Sequence, residues 1–150
     1  MNFRKLRRGE VIATIGGALL AVALFLAWYH TSGSNAEVAG RRGDVSAWQA
    51  HSMVRYLLLA GALAPAILAY IVIRDHALSW PRGELTAVVA IFALGFIVYF
   101  GIIARPGNLR AETTLDLGWF VALAGGVLML YGAATRTGES DRRRKPPGVL

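Results

Sequence analysis

Residues 11–29, VIATIGGALLAVALFLAWY, run for nineteen positions without a charge. As a helix rising ~1.5 Å per residue they would measure ~28 Å, close to the ~30 Å hydrocarbon thickness of a bilayer. In hydrocarbon every backbone N–H and C=O must find a partner within the segment, so such a stretch is restricted to helix. Arg4, Lys5, Arg7, Arg8 and Glu10 precede it, and a basic leader keeps its end of a span in the cytosol. A cleaved secretory signal begins the same way, but its apolar core is roughly 7–15 residues and ends in a small-residue cleavage site. Here the run is longer and closes on Trp28 and Tyr29, an aromatic pair suited to the membrane interface. The segment reads as a retained anchor.

Three further apolar blocks follow, and the expected spans are residues 11–29, 53–73, 85–104 and 116–135. With 55% of the chain hydrophobic and 17% charged, the apolar residues are gathered in blocks instead of being interleaved with polar ones as in a soluble fold. The expected class is all-α, a polytopic cell-membrane protein of four transmembrane helices in an up-down bundle with both termini cytoplasmic. Residues 136–150 are expected to form a basic, flexible tail. Eleven of the sixteen Lys and Arg fall in the leader, the middle turn and the tail, and five on the other side, which sets the orientation by the positive-inside rule. Arg41, Arg42, Arg55, Arg105 and Arg110 nevertheless make the outer side basic.

Local signals divide the chain. Ser46-Ala47-Trp48-Gln49 has the capping-box pattern, in which Ser and Gln exchange bonds with backbone amides, and predicts one helix from there through residue 73. Its raised first turns would carry Trp48, Arg55 and Tyr56 at the outer interface beside Trp28 and Tyr29, with Pro65 in mid-span. Arg105-Pro106-Gly107 ends the third helix, and Thr113 followed by Asp116 predicts a cap for the fourth. Arg8-Gly9-Glu10 and Arg82-Gly83-Glu84 open the first and third helices alike.

The order Arg8-Gly9-Glu10, Phe25-Leu26-Ala27-Trp28-Tyr29, Ser46-Ala47-Trp48-Gln49-Ala50, Arg105-Pro106-Gly107 and a Gly-rich last helix resembles a group of uncharacterised, actinobacterial-type small four-helix integral membrane proteins. Members of that group tend to read Phe-Leu-Pro-Trp, Ala-Trp-Gln-Ala-Phe and Asp-Pro-Pro-Gly where this chain has Ala27, His51 and Arg105. The resemblance implies the four-helix topology and brings no activity with it.

Chemistry is sparse. The central parts of the spans hold no Asp, Glu, Lys, Arg or His, the usual marks of proton relays and ion paths. Cysteine is absent, so disulfides and thiolate chemistry are excluded. His30 and His51 could meet on the outer face with Asp44 or Asp116, yet these histidines lack the four-residue helical spacing of a metal pair, and no metal or cofactor is expected. No nucleophile stands at readable spacing from a base, so no enzyme is expected.

Small residues recur every four positions: Ala13, Gly17 and Ala21; Gly61, Pro65 and Ala69; Gly118, Ala122 and Gly126. In lipid, close backbone approach is what holds helices together, so these are the expected helix-packing or interface residues. Helix 3, with Ile91, Phe92, Phe96, Ile97 and Phe100, is expected to face lipid or to offer an aromatic contact face. The net charge of +7 is directed to anionic lipid headgroups, not nucleic acid, through Arg4, Lys5, Arg7, Arg8, Arg142, Arg143, Arg144 and Lys145. The expected role is a non-enzymatic structural or accessory component that self-associates or docks in a larger membrane complex. A small channel or carrier for an uncharged or lipidic solute is the alternative.

Overall fold

The computed structural model describes residues 7–74 and 82–144. The elements in order are α1 (Arg8–Ala23), β1 (Ala27–Thr31), β2 (Asp44–Ser46), α2 (Ala47–Ala50), α3 (Val54–Ile73), α4 (Arg82–Val98), β3 (Thr113–Leu115) and α5 (Leu117–Arg144). Most of the chain is helical, and three helical stretches are long and apolar enough to cross a membrane: Val54–Ile73, Gly83–Ile103 and Leu117–Arg136. α1 has sixteen residues. It packs along α5 and on α3, and α4 packs chiefly on α5.

Glycine decides how closely α1 and α5 approach. A Cβ on Gly16 would lie 2.6 Å from the Gly125 carbonyl oxygen, and one on Gly132 would lie 2.5 Å from that of Gly9. Gly125 and Gly132, seven residues apart and so on one side of α5, both face α1. Of the stripes predicted at four-residue spacing, Gly17 meets the Ala62 carbonyl of α3, Gly61 faces Val89 and Ala93 of α4, and Gly126 faces Leu94 of α4. Ala13, Pro65 and Ala122 are buried and Ala21 is half-buried. Gly118 meets the Ala27 carbonyl and the Trp28 ring. These residues are used inside the single chain.

The first helix is shorter than expected. Its last carbonyls are satisfied from outside the helix: the Trp28 indole donates to the Ala23 carbonyl at 2.8 Å, and the Trp48 amide to Leu24 at 3.0 Å. Ala27-Trp28-Tyr29-His30-Thr31, rich in aromatic and β-branched side chains, then enters a sheet. The strand order is β2-β1-β3, with both pairs antiparallel; Tyr29 opposes Val45 on one side and Leu115 on the other. Trp28 and Tyr29, expected as interfacial anchors on a span, are instead 0% exposed within the protein. The sheet roofs the end of the bundle formed by the C-termini of α1 and α4 and the N-termini of α3 and α5.

Three other boundaries differ from expectation. The Ser46–Gln49 capping box starts only the single turn α2; the chain breaks at His51, whose extended backbone cannot continue a helix, and restarts at Val54. α4 leaves α-geometry at Tyr99–Ile103 for one π-helical turn, marked by the Ala104 amide bonding the Tyr99 carbonyl at 2.7 Å. α5 continues to Arg144, through much of the segment expected to be a flexible tail; no proline interrupts it before Pro146. Ile97, expected toward lipid, is buried, whereas Ile91 and Phe92 are exposed.

Candidate functional site

The roofed end carries the densest polar and aromatic chemistry among the described residues. Strand alternation sends Tyr29 inward and His30 outward. The Tyr29 hydroxyl lies 3.0 Å from His51 Nε2 and donates to the Phe100 carbonyl at 3.2 Å. The hydroxyl has one proton, so with it directed at Phe100 the His51 proton resides on Nε2. The Phe100 ring is 4.5 Å from the imidazole, centroid to centroid, and Trp28 meets both Tyr29 and His51 edge-on. Burial lowers the His51 pKa to about 4. Burial also raises the Tyr29 phenol above its ordinary range, partly opposed by the Arg105 charge.

The π turn explains why Trp119 fits here. Gly101 is where the Trp119 indole packs, leaving no room for a Cβ, and its N–H donates to the Ile97 carbonyl at 2.9 Å. Carbonyls at a helix C-terminus lack intrahelical partners, and here side chains supply them. Tyr29 bonds Phe100, Arg105 Nε bonds Gly101 at 3.1 Å, and Arg110 bonds Ile103. Arg105 also reaches the Thr113 carbonyl at 2.7 Å, tying α4 to β3. Cations at the C-terminal end of a helix also face its negative dipole end. The arginines that ran against the expected charge balance are thus partly helix caps, and Arg42 pairs with Glu37 at 2.8 Å.

The histidines do not converge. His30 Nδ1 meets Asp44 Oδ1 at 2.6 Å on the exposed face, while His51 is on the Tyr29 side. Asp116 accepts from the Leu117 amide through its side chain. Among the described residues no three His, Asp or Glu side chains form a metal-ligand group.

At the rim of the roof, Arg55 is clamped between aromatic rings. Its guanidinium carbon lies 5.1 Å from the Trp48 centroid and 4.8 Å from that of Tyr56, within cation–π range. Its Nη1 donates to the Trp48 carbonyl at 3.1 Å and its Nη2 to the Tyr56 hydroxyl at 3.0 Å. Phe25 stacks on Trp48 at 5.1 Å. Phe25, Tyr56, Leu57 and above all Met53, 79% exposed, leave this rim an apolar outward surface. The predicted trio Trp48, Arg55 and Tyr56 is therefore one cluster, separated from the buried Trp28 and Tyr29.

The opposite end holds a buried ion pair. Glu10, 6% exposed, accepts the Arg7 amide at 2.9 Å and pairs with Arg136 Nη1 at 2.5 Å, joining α1 to α5. The parallel Arg82-Gly83-Glu84 start differs, because Glu84 is exposed. A cavity of about 10 Å³ lies beside the pair, against Pro65 and Thr86, about one water in size. Of the basic residues assigned to lipid, Arg8 is exposed and Arg7 half-buried. Arg142, Arg143 and Arg144 lie on α5, and Arg4, Lys5 and Lys145 lie outside the described residues. No protein-family model, no curated protein and no solved structure matches this chain.

Proposed function

We propose that this is a four-span, multi-pass membrane protein, both ends cytoplasmic and the sheet roof outside, that acts without catalysis by docking on a larger membrane protein through the Arg55 rim. α1 exposes Val11, Ile15 and Val22, apolar side chains that suit lipid and support counting it as the fourth span. The observation that carries the docking reading is the Trp48–Arg55–Tyr56 stack beside exposed Phe25, Met53 and Leu57. Trp, Tyr and Arg dominate the residues that carry interface energy, and Met is enriched in interface cores. Because the small-residue stripes are occupied within the chain, they do not motivate a homo-oligomer, and the 10 Å³ interior cavity does not motivate a channel.

A photocrosslinking residue at Met53 in living cells tests the reading. It is expected to give one discrete adduct to another membrane protein that is lost on Arg55→Ala, with no such adduct from Val127 on α5. No protein adduct from Met53, or the same adduct from Val127, would overturn it.

A further inference from the structure

Between α1 and α3 runs a groove of about 330 Å³, lined by Val11, Thr14 and Ile15 of α1 and Ala66, Tyr70 and Ile73 of α3. That is the lower end of the roughly 300–1,000 Å³ typical of ligand sites. Its walls are almost wholly apolar; the Thr14 hydroxyl is occupied, donating to the Glu10 carbonyl at 2.8 Å. One mouth is cationic. The Arg74 guanidinium lies over the Tyr70 ring at 5.3 Å, so a groove-lining residue holds it in place. Arg8 precedes Val11 and Ile15 by three and seven residues, which puts it on the same face of α1. The helices are antiparallel, since Gly17 meets Ala62 while Gly9 and Ala13 share a cavity wall with Leu68 and Ala69. The N-terminus of α1 and the C-terminus of α3 therefore meet at one end, and both Arg8 and Arg74 are exposed there.

We propose that this groove binds one anionic phospholipid, an acyl chain lying between α1 and α3 and the phosphate held by Arg74 and Arg8. An apolar slot fits a chain, and guanidinium forks match phosphate oxygens by charge and by geometry. The site goes beyond the docking reading and does not depend on which leaflet this end faces.

Native mass spectrometry of the full chain in mild detergent, titrated with phosphatidylglycerol or with phosphatidylcholine of the same chains, tests the site. One phosphatidylglycerol is expected to bind saturably and ahead of phosphatidylcholine. Ala66→Trp, at an exposed position where folding is not at stake, is expected to abolish that adduct, while Ala124→Trp on α5, also exposed, leaves it intact. Arg74→Gln is expected to weaken it about fivefold, the order of one headgroup contact. Equal binding of the two lipids, a non-saturating ladder of adducts, or an adduct that survives Ala66→Trp would overturn the proposal.

Discussion

The Tyr29 hydroxyl and His51 Nε2 stand 3.0 Å apart beneath the sheet, joining the first strand to the break between α2 and α3. Burial depresses the imidazole to about 4 from 6.5. A depressed pKa means that the unfolded chain takes up the proton first, so stability is full above about pH 6.5 and is lost as pH falls towards 4. The loss over that interval is about 3 kcal/mol. Thermal unfolding in detergent between pH 7.5 and 4.5 is expected to show this slope, and His51→Phe is expected to flatten it. An unchanged slope in His51→Phe would assign it to other groups.

Gly16 and Gly125 face one another across the α1–α5 contact, where a Cβ on Gly16 would stand 2.6 Å from the Gly125 carbonyl oxygen. Gly16→Leu or Gly125→Leu is expected to cost about 3 kcal/mol or more, because backbone, not a flexible side chain, is in the way. Gly95 has open space around its Cβ position, so Gly95→Ala is expected to be tolerated and to add about 0.5–1 kcal/mol by stiffening the helix. Denaturant titration of the variants in mixed micelles measures the contrast.

Glu10→Gln would remove the carboxylate that pairs with Arg136 between α1 and α5, a change expected to cost about 3 kcal/mol. The double variant Glu10→Gln/Arg136→Gln is expected to lose less than the sum of the two single variants, since both charges of the pair are removed together. A double-mutant cycle on unfolding in micelles reads the coupling directly; additive effects would mean that the two charges do not sense each other.

Trp119 occupies the space beside Gly101 and donates to the Ile97 carbonyl. Trp119→Phe is expected to cost about 1–2 kcal/mol for the lost buried bond. Gly101→Ala should be more damaging in the native background than together with Trp119→Leu, where the ring is gone. Equal damage in both backgrounds, measured by melting temperature, would show that the fit of ring to glycine is not what sets the cost.

The apolar runs were legible because hydrocarbon leaves helix as the one local solution for residues 54–73, 83–103 and 117–136. The roof was not, because Ala27-Trp28-Tyr29 continues an uncharged run and looks like more helix until β2 and β3, brought from residues 44–46 and 113–115, pair with it. Tyr29 and His51 are adjacent only through that pairing. The glycine contacts were half visible: Gly118 stands in a four-residue repeat and packs on β1, while Gly125 and Gly132, seven residues apart, are the pair that faces α1. The Trp48–Arg55–Tyr56 cluster was legible in part, since residues 48 and 55 are seven apart, though α2 and α3 turned out to be separate helices.

The chain has no cysteine, so single introduced thiols report sidedness against a silent background. Ser34→Cys, at an exposed position in the roof, should react with a membrane-impermeant maleimide in intact cells, while Ser140→Cys reacts only after permeabilisation. Reaction of both thiols in intact cells, or of neither until the membrane is opened, would contradict a bundle that crosses the bilayer with its sheet outside and its ends within.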